Sequence, residues 1–221
     1  MEHSEGQGKA IMGSACPGSV RYWAAALAAG TVFIDADECH LPLRHSHHRY
    51  AIEGPNGVQQ LTVPLVGATH NMATPLREVR ISEHGNWRRL HWGALYSAYG
   101  RTPYFDHIAP ELEAIIVDGH QTHLLELNTQ LQQLIVDFMG LPINFLQPPA
   151  VPAAEGGAGV VDLRGKVDMK RPDTLPIVDV PYYQVWATRR GFVPRLSILD
   201  LLMNEGREGI FTLLRMTSSM P

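Results

Sequence analysis

Cysteine is scarce. Cys16 and Cys39 are the whole complement of 221 residues, and they form no CxxC pair. That excludes a zinc finger or a thioredoxin-type centre, and two cysteines in a chain this size fit a reducing cytoplasm better than a disulfide scaffold. Long apolar runs are missing too. The longest, over 22–34, contains Gly30 and is too short to span a bilayer. The first nine residues are polar, so no signal peptide is expected there. These absences predict a soluble, cytoplasmic protein with no membrane span. Positive charge has no excess either: 18 Lys plus Arg stand against 22 Asp plus Glu, a formal charge of −4. No basic field for a nucleic-acid partner exists. Histidine is the exception. Eleven are present, so near pH 6 the net charge approaches zero or turns positive.

Several catalytic signatures are also missing. There is no GxxxxGK[ST] phosphate loop and no GxSxG elbow, and the glycines at 156, 157 and 159 precede a strand-like Val-Val rather than a helix. Cys16 has no His at a spacing that marks a nucleophile pair. His45-Ser46-His47-His48, with His40 upstream, draws the eye. A metal site needs imidazoles converging on one point with a carboxylate or thiolate. No HExxH pattern accompanies the run, although Asp35, Asp37, Glu38 and Cys39 lie nearby. A solvated, loop-borne cluster is the favoured reading, and no metal site is assigned.

The chain is long enough for one large domain or two small ones, and no repeat or clear break divides it. Residues 1–8 read as a disordered tail and 9–216 as one domain. A strand, an Ala-rich helix over 19–29 closed by Gly30, and a β-branched strand over 31–35 suggest a βαβ opening. Pro55-Asn56-Gly57 separates two apolar runs, 49–54 and 58–65, as an Asn-Gly hairpin. Pro64 puts the end of the second run at an edge or bulge. A further short strand is expected over 76–81. A helix over 87–99 stops before Gly100 and Pro103, Pro110 starts another at an N1-like position, and the leucine spacing over 124–138 marks a long amphipathic helix ended by Gly140. Residues 142–180 read as a long Pro/Gly-rich loop, which inside a compact domain is functional or disordered. Ser197 is placed to cap a C-terminal apolar helix over 197–203. The fold class is therefore α/β, with α+β as the alternative: a strand–helix–strand opening and a hairpin, followed by a helical C-terminal half.

What the chain has in unusual density is aromatic and imidazole side chains in one place. Residues 86–105, NWRRLHWGALYSAYGRTPYF, hold two Trp, three Tyr, one His and three Arg. On a helix, Trp87, His91, Ala94 and Ala98 share a stripe with Tyr99 beside it. Two readings stand here: a pocket wall for a polar ligand, or a core helix whose His and Tyr are merely hydrogen-bonded. Asp162, Arg164, Lys166, Lys170 and Arg171 cluster at the end of the long loop, where Arg164 suits a phosphate or carboxylate, or is simply solvated. On an extended segment, Tyr182 and Gln184 face one way and Tyr183 the other.

These pieces, in order, resemble the WbqC-like family. The resemblance rests on Arg49, Asn56-Gly57, Leu61-Thr62-Val63-Pro64, Asn86-Trp87, His91-Trp92, Tyr99, Pro103-Tyr104-Phe105, Leu127-Asn128, Asp162-Leu163-Arg164, Tyr182-Tyr183-Gln184 and the run GFVPRLSILDLLMNEG at 191–206. It covers roughly residues 9–214 and is similar to the branch common in Bacteroidetes-type bacteria. Two motifs depart from the family pattern. Leu43 stands where members carry a Lys, with His47-His48 replacing an Arg-Asn pair, and Ala15-Cys16-Pro17-Gly18 replaces the usual Tyr-[Phe/Leu]-x-Pro. The resemblance implies a role in cell-surface polysaccharide (O-antigen-type) biosynthesis, with aminoacyl or acyl transfer to the amino sugar of a nucleotide sugar as one reaction. In such a transferase His91 serves as base. Arg49 and Arg164, with Asp162, hold the diphosphate, while Trp87 or Trp92 stacks on the sugar and Tyr99, Tyr183 and Gln184 orient its hydroxyls. The small-molecule partner is then a nucleotide sugar. No fingerprint assigns a cofactor: none for coenzyme A, ATP or a carrier protein is present. The alternatives are a non-catalytic sugar- or nucleotide-binding accessory protein and a nucleotidyltransferase-like enzyme, the latter without an HxGH-type motif at 14–19.

Overall fold

The computed structural model describes residues 8–39, 47–67, 74–147, 159–167 and 175–217. The opening is the expected βαβ unit: β1 (Lys9–Met12), α1 (Val20–Ala29) and β2 (Thr31–Ile34). Ser19 caps α1 by accepting the Tyr22 N–H at 3.2 Å, and Gly30, at φ 68°, ends it with its N–H on the Ala26 carbonyl. Ala10, Ile11 and Met12 are all buried in succession. Such a run marks a strand covered on both faces.

β3 (Arg49–Gly54) and β4 (Gly57–Thr62) form the hairpin. Its turn sits one residue earlier than an Asn-Gly type I′ turn would place it. Gly54 pairs with Gly57, so Pro55 and Asn56 are the central residues. Proline locks φ near −65° and cannot occupy a position that needs positive φ. The positive φ, 107°, falls on Gly57 instead.

Helices follow: α2 (Trp87–Tyr99), α3 (Phe105–Ile116) and α4 (Leu124–Met139). Two expectations are corrected here. Residues 76–81 make no strand but a 3-10 turn, Leu76–Glu78, with isolated bridges from Arg80 to His123 and from Ile81 to Leu65. The apolar spacing there serves anchoring, since Leu76 is fully buried and its N–H bonds the Glu38 carbonyl. Pro110 does not begin a helix; it lies inside α3, which starts at Phe105. The ring there removes only the bond its N–H would give to Asp106.

Within 142–180, read as loop, lie β5 (Asn144–Leu146) and β6 (Val160–Asp162). Both join the opening strands in one parallel sheet of order β5-β2-β1-β6. The chain then runs through α5 (Ala187–Arg190), α6 (Ile198–Glu205) and α7 (Gly209–Thr217). α1 packs against α7 and α6 and against β1 and β2. Trp23, fully buried, donates its indole N–H to the Pro17 carbonyl and meets Phe145 edge-on. The fold is thus mixed α/β: a parallel sheet, a separate antiparallel pair and a helical C-terminal half.

Candidate functional site

The order β5-β2-β1-β6 makes β1 the strand from which the chain leaves in both directions: β2 lies on one side and β6 on the other. In open parallel sheets such a switch point leaves a crevice outside the carboxyl ends of the strands, where ligands bind. The residues that follow β1, β2 and β6 stand at that edge. They are Gly13-Ser14, Asp35 and Leu163-Arg164.

The ladder brings them together. Asp35 donates its N–H to the Met12 carbonyl at 3.0 Å, and Leu163 donates its own to the Ile11 carbonyl at 2.8 Å. Arg164 then bridges the sheet. Its Nε and Nη2 reach the two oxygens of Asp162 at 3.0 and 2.7 Å, a bidentate pair, while Nη1 reaches Asp35 Oδ2 at 2.5 Å across 129 positions of sequence. The bonds from Arg164 hold the Asp162 carboxyl below its usual range, and those to Asp162 and then Asp35 hold the guanidinium firmly protonated. Asp35 Oδ1 meanwhile accepts the N–H groups of Asp37 and Glu38 and so shapes the turn after β2.

That turn delivers Glu38 over the end of β1. Its carboxylate lies 3.5 Å from His47 Nε2, and both side chains are buried. Gly13 makes room for the pair: a Cβ there would collide with the Glu38 carboxylate and stand 3.1 Å from His47 Nε2. Asn128, from α4, ties the layer together by donating to Ser14 Oγ and to the His47 carbonyl, each at 2.9 Å. Burial of His47 and His48 corrects the expectation of a solvated His cluster; His40 and His45 lie outside the described residues. Among the described residues no three His, Cys, Asp or Glu side chains converge to hold a metal.

The residues singled out in the sequence fall into separate groups. Asp162 and Arg164 lie at the carboxyl edge of the parallel sheet. Trp87 and His91 form a second group, in the hairpin–α2 interface. His91 is buried, edge-on to Trp87 at 5.1 Å and to Tyr50 at 5.5 Å. Its Nε2 donates to the Thr62 carbonyl at 3.1 Å, which leaves Nδ1 to accept from the Tyr50 hydroxyl at 3.1 Å. Burial lowers its pKa to about 4. A neutral ring with both nitrogens engaged packs two elements together, so the hydrogen-bonded-core reading describes its geometry. Arg49 is half-buried at the start of β3, beside Tyr50.

Tyr99 and Gln184 make the third group, around Asp200 of α6. Asp200 Oδ2 accepts the Tyr182 hydroxyl at 2.7 Å and the Gln184 amide at 3.0 Å. Burial raises its pKa to about 6, against the pull of bonds from Tyr182, Tyr99 and Gln184. Gln184 also closes its own loop, donating to the Val193 carbonyl and accepting the Val193 N–H. Tyr183 is exposed, as the alternation predicted, and Trp92 stacks on Phe105. The hairpin touches the third group through the Glu53 N–H, which the Tyr99 hydroxyl accepts at 3.4 Å. The sequence reading passed over Gly13, Ser14 and Asn128 as site residues and used Asp35 and Glu38 only as loose metal candidates. The signal available was an acid directly after a buried strand, which becomes legible only once the strand order is known.

Comparison with known proteins gives one family and one relative. The family described as WbqC-like matches residues 21–171. The chain is similar to "Uncharacterized protein Rv1507c" of Mycobacterium tuberculosis (strain ATCC 25618 / H37Rv), 29% identical over 203 residues, covering 80% of this chain and 84% of that one. No solved structure matches.

Proposed function

The chain belongs to the WbqC-like protein family, and from that premise we propose that it binds a nucleotide sugar at the carboxyl edge of the parallel sheet and serves the making of cell-surface glycan. The observation that carries this reading is the Asp35–Arg164–Asp162 cluster laid across the ends of β2 and β6 with β1 between them. An acid that directly follows the second strand of a βαβ unit suits ribose or sugar hydroxyls, and a guanidinium beside it suits a diphosphate. The reaction that fits is acyl transfer to an amino sugar: an amide bond forms, the bond to the donor's leaving group breaks, and the amine gives up a proton. The proton acceptor belongs at the crevice, where His47 faces Glu38, rather than at His91, whose two nitrogens are engaged.

The test is a thermal-shift and calorimetry panel of nucleotide sugars with and without an amino group. A ligand at a hundred times its Kd adds about 2.7 kcal/mol of stability. Arg164→Ala is expected to weaken binding by about 1.5–3 kcal/mol, the contribution of a hydrogen bond to a charged group. If no nucleotide sugar stabilises the protein, or Arg164→Ala binds as the parent does, the reading fails. The burial of both His47 and Glu38 favours a second reading, a binding module without turnover. It predicts the same binding with no acylated product.

A further inference from the structure

A second concave site lies away from the sheet edge. A cavity of about 630 Å³ opens between the C-terminal end of α2, the hairpin turn and the segment that leads into α5, with Pro55, Tyr96, Ala98, Arg101, Thr102 and Trp186 among its walls. Its size falls in the range of small-molecule sites, which are mostly apolar with a few placed polar groups.

Its walls are fixed. Trp186 donates its indole N–H to the Ala98 carbonyl at 3.2 Å, which sets the ring against α2. Arg190 latches α5 to the turn through the carbonyls of Gly54, at 2.5 Å, and Pro55, at 3.2 Å, and through Glu53 Oε1 at 2.9 Å. Thr102 is held by the Tyr99 carbonyl at 2.7 Å. Among the described residues the charge has one sign: no carboxylate lines the cavity, Arg101 does, and the guanidinium groups of Arg189 and Arg190 lie 5.7 and 5.9 Å from the Trp186 ring centre. Glu53, the nearest acid in these contacts, is fully buried and already paired with Arg190. Tyr96 is 62% exposed at the rim, its ring set edge-on to Phe105 at 5.5 Å.

We propose that this cavity is a second binding site, for an anionic ligand that carries a flat ring, of the nucleoside monophosphate class. Trp186 and Tyr96 supply aromatic surface for the base, and Arg101 supplies the charge for the phosphate. The site is distinct from the crevice at the sheet edge: no residue of the Asp35–Arg164–Asp162 cluster lines it.

The experiment uses the full chain with uridine 5′-monophosphate, ribose 5-phosphate and inorganic phosphate as probes, followed by Trp fluorescence and calorimetry. The monophosphate is expected to bind more tightly than ribose 5-phosphate, and inorganic phosphate to bind weakest. Arg101→Ala is expected to weaken the monophosphate at least tenfold, about 1.4 kcal/mol, and Arg101→Lys to recover part of it. Arg164→Ala should leave the Arg101-dependent part of the binding unchanged. Arg101 is exposed, so its loss is expected to keep the parent's thermal midpoint. If the monophosphate does not bind, or binds Arg101→Ala as it binds the parent, the second site is overturned. Loss on Arg164→Ala alone would place the nucleotide at the sheet edge, overturning this site while supporting the function proposed there.

Discussion

Two buried titrating residues oppose each other. His91 has its pKa lowered from 6.5 to about 4, first by burial, with the bond to Thr62 acting against it. A lowered folded-state pKa means stability that is present above pH 6.5 and lost as pH falls towards 4. Asp200 has its pKa raised from 3.8 to about 6, again first by burial. A raised folded-state pKa means stability that is present below pH 3.8 and lost as pH rises through 6. Each effect is on the order of 3 kcal/mol, at 1.36 kcal/mol per unit. Between about pH 4 and 6 the two slopes have opposite sign, so the parent's stability should be nearly flat from these groups. In His91→Gln, stability should fall as pH rises from 4 to 6; in Asp200→Asn, it should climb from 4 to 6.5. Urea midpoints at half-unit steps of pH check both, and a His91→Gln profile parallel to the parent's would sink the idea. Cys16 offers a simpler test. Burial pushes its thiol up to about 12, whereas Cys39 is exposed. Iodoacetamide at pH 8 should therefore label Cys39 in the native protein and reach Cys16 only after unfolding.

At the scale of elements, helix ends carry specific contributions. The N-termini of α1 and α6 meet: Val20 donates to the Leu196 carbonyl and Ile198 to the Gly18 carbonyl, both at 2.9 Å, with Ser19 and Ser197 side by side. Two positive helix ends placed together are unfavourable unless their free N–H groups are satisfied. Each serine satisfies one, Ser19 from Tyr22 and Ser197 from Leu199. Ser197→Ala should cost about 1 kcal/mol, which lowers Tm by roughly 2–4 °C in a domain of this size; an unchanged Tm would mean the cap contributes nothing here. The Ser197 cap, the glycine after α1 and the hairpin were legible because their signals are local. The strands β5 and β6 were not. Each spans three residues, Asn144–Leu146 and Val160–Asp162, and each exists because of partners more than a hundred positions earlier. A run such as Asn-Phe-Leu after a proline carries no period to read. The same non-locality hid the crevice. Asp162 and Arg164 stood out as a charge cluster, but Asp35 joined them only through the sheet. Gly13 gained its meaning from Glu38 and His47 packing over it.

Across the whole molecule, the C-terminal segment is joined to the hairpin by a polar latch whose strength can be measured. Glu53, fully buried on β3, accepts from Arg190 of α5 across 137 positions of sequence. Its other oxygen accepts no hydrogen bond among the described residues. Breaking a buried pair from one side leaves a charge with neither water nor partner, typically a loss of about 3–5 kcal/mol, whereas replacing both partners by apolar groups of similar volume is often neutral. The Arg190 side chain is 32% exposed, so solvent screens part of the pair and the lower end, about 3 kcal/mol, is the expected loss for Arg190→Ala. Glu53→Met with Arg190→Met should recover most of it, although Arg190 also gives up its bonds to Gly54 and Pro55. Urea titration distinguishes the outcomes, since a change in midpoint at constant slope reports stability alone. Should Arg190→Ala stay within about 0.5 kcal/mol of the parent, as a plain surface substitution does, the ion pair does not hold the two segments together. Apolar contacts such as those of Leu196 and Ile198, both buried beside the hairpin and α1, would then be what docks the C-terminal segment.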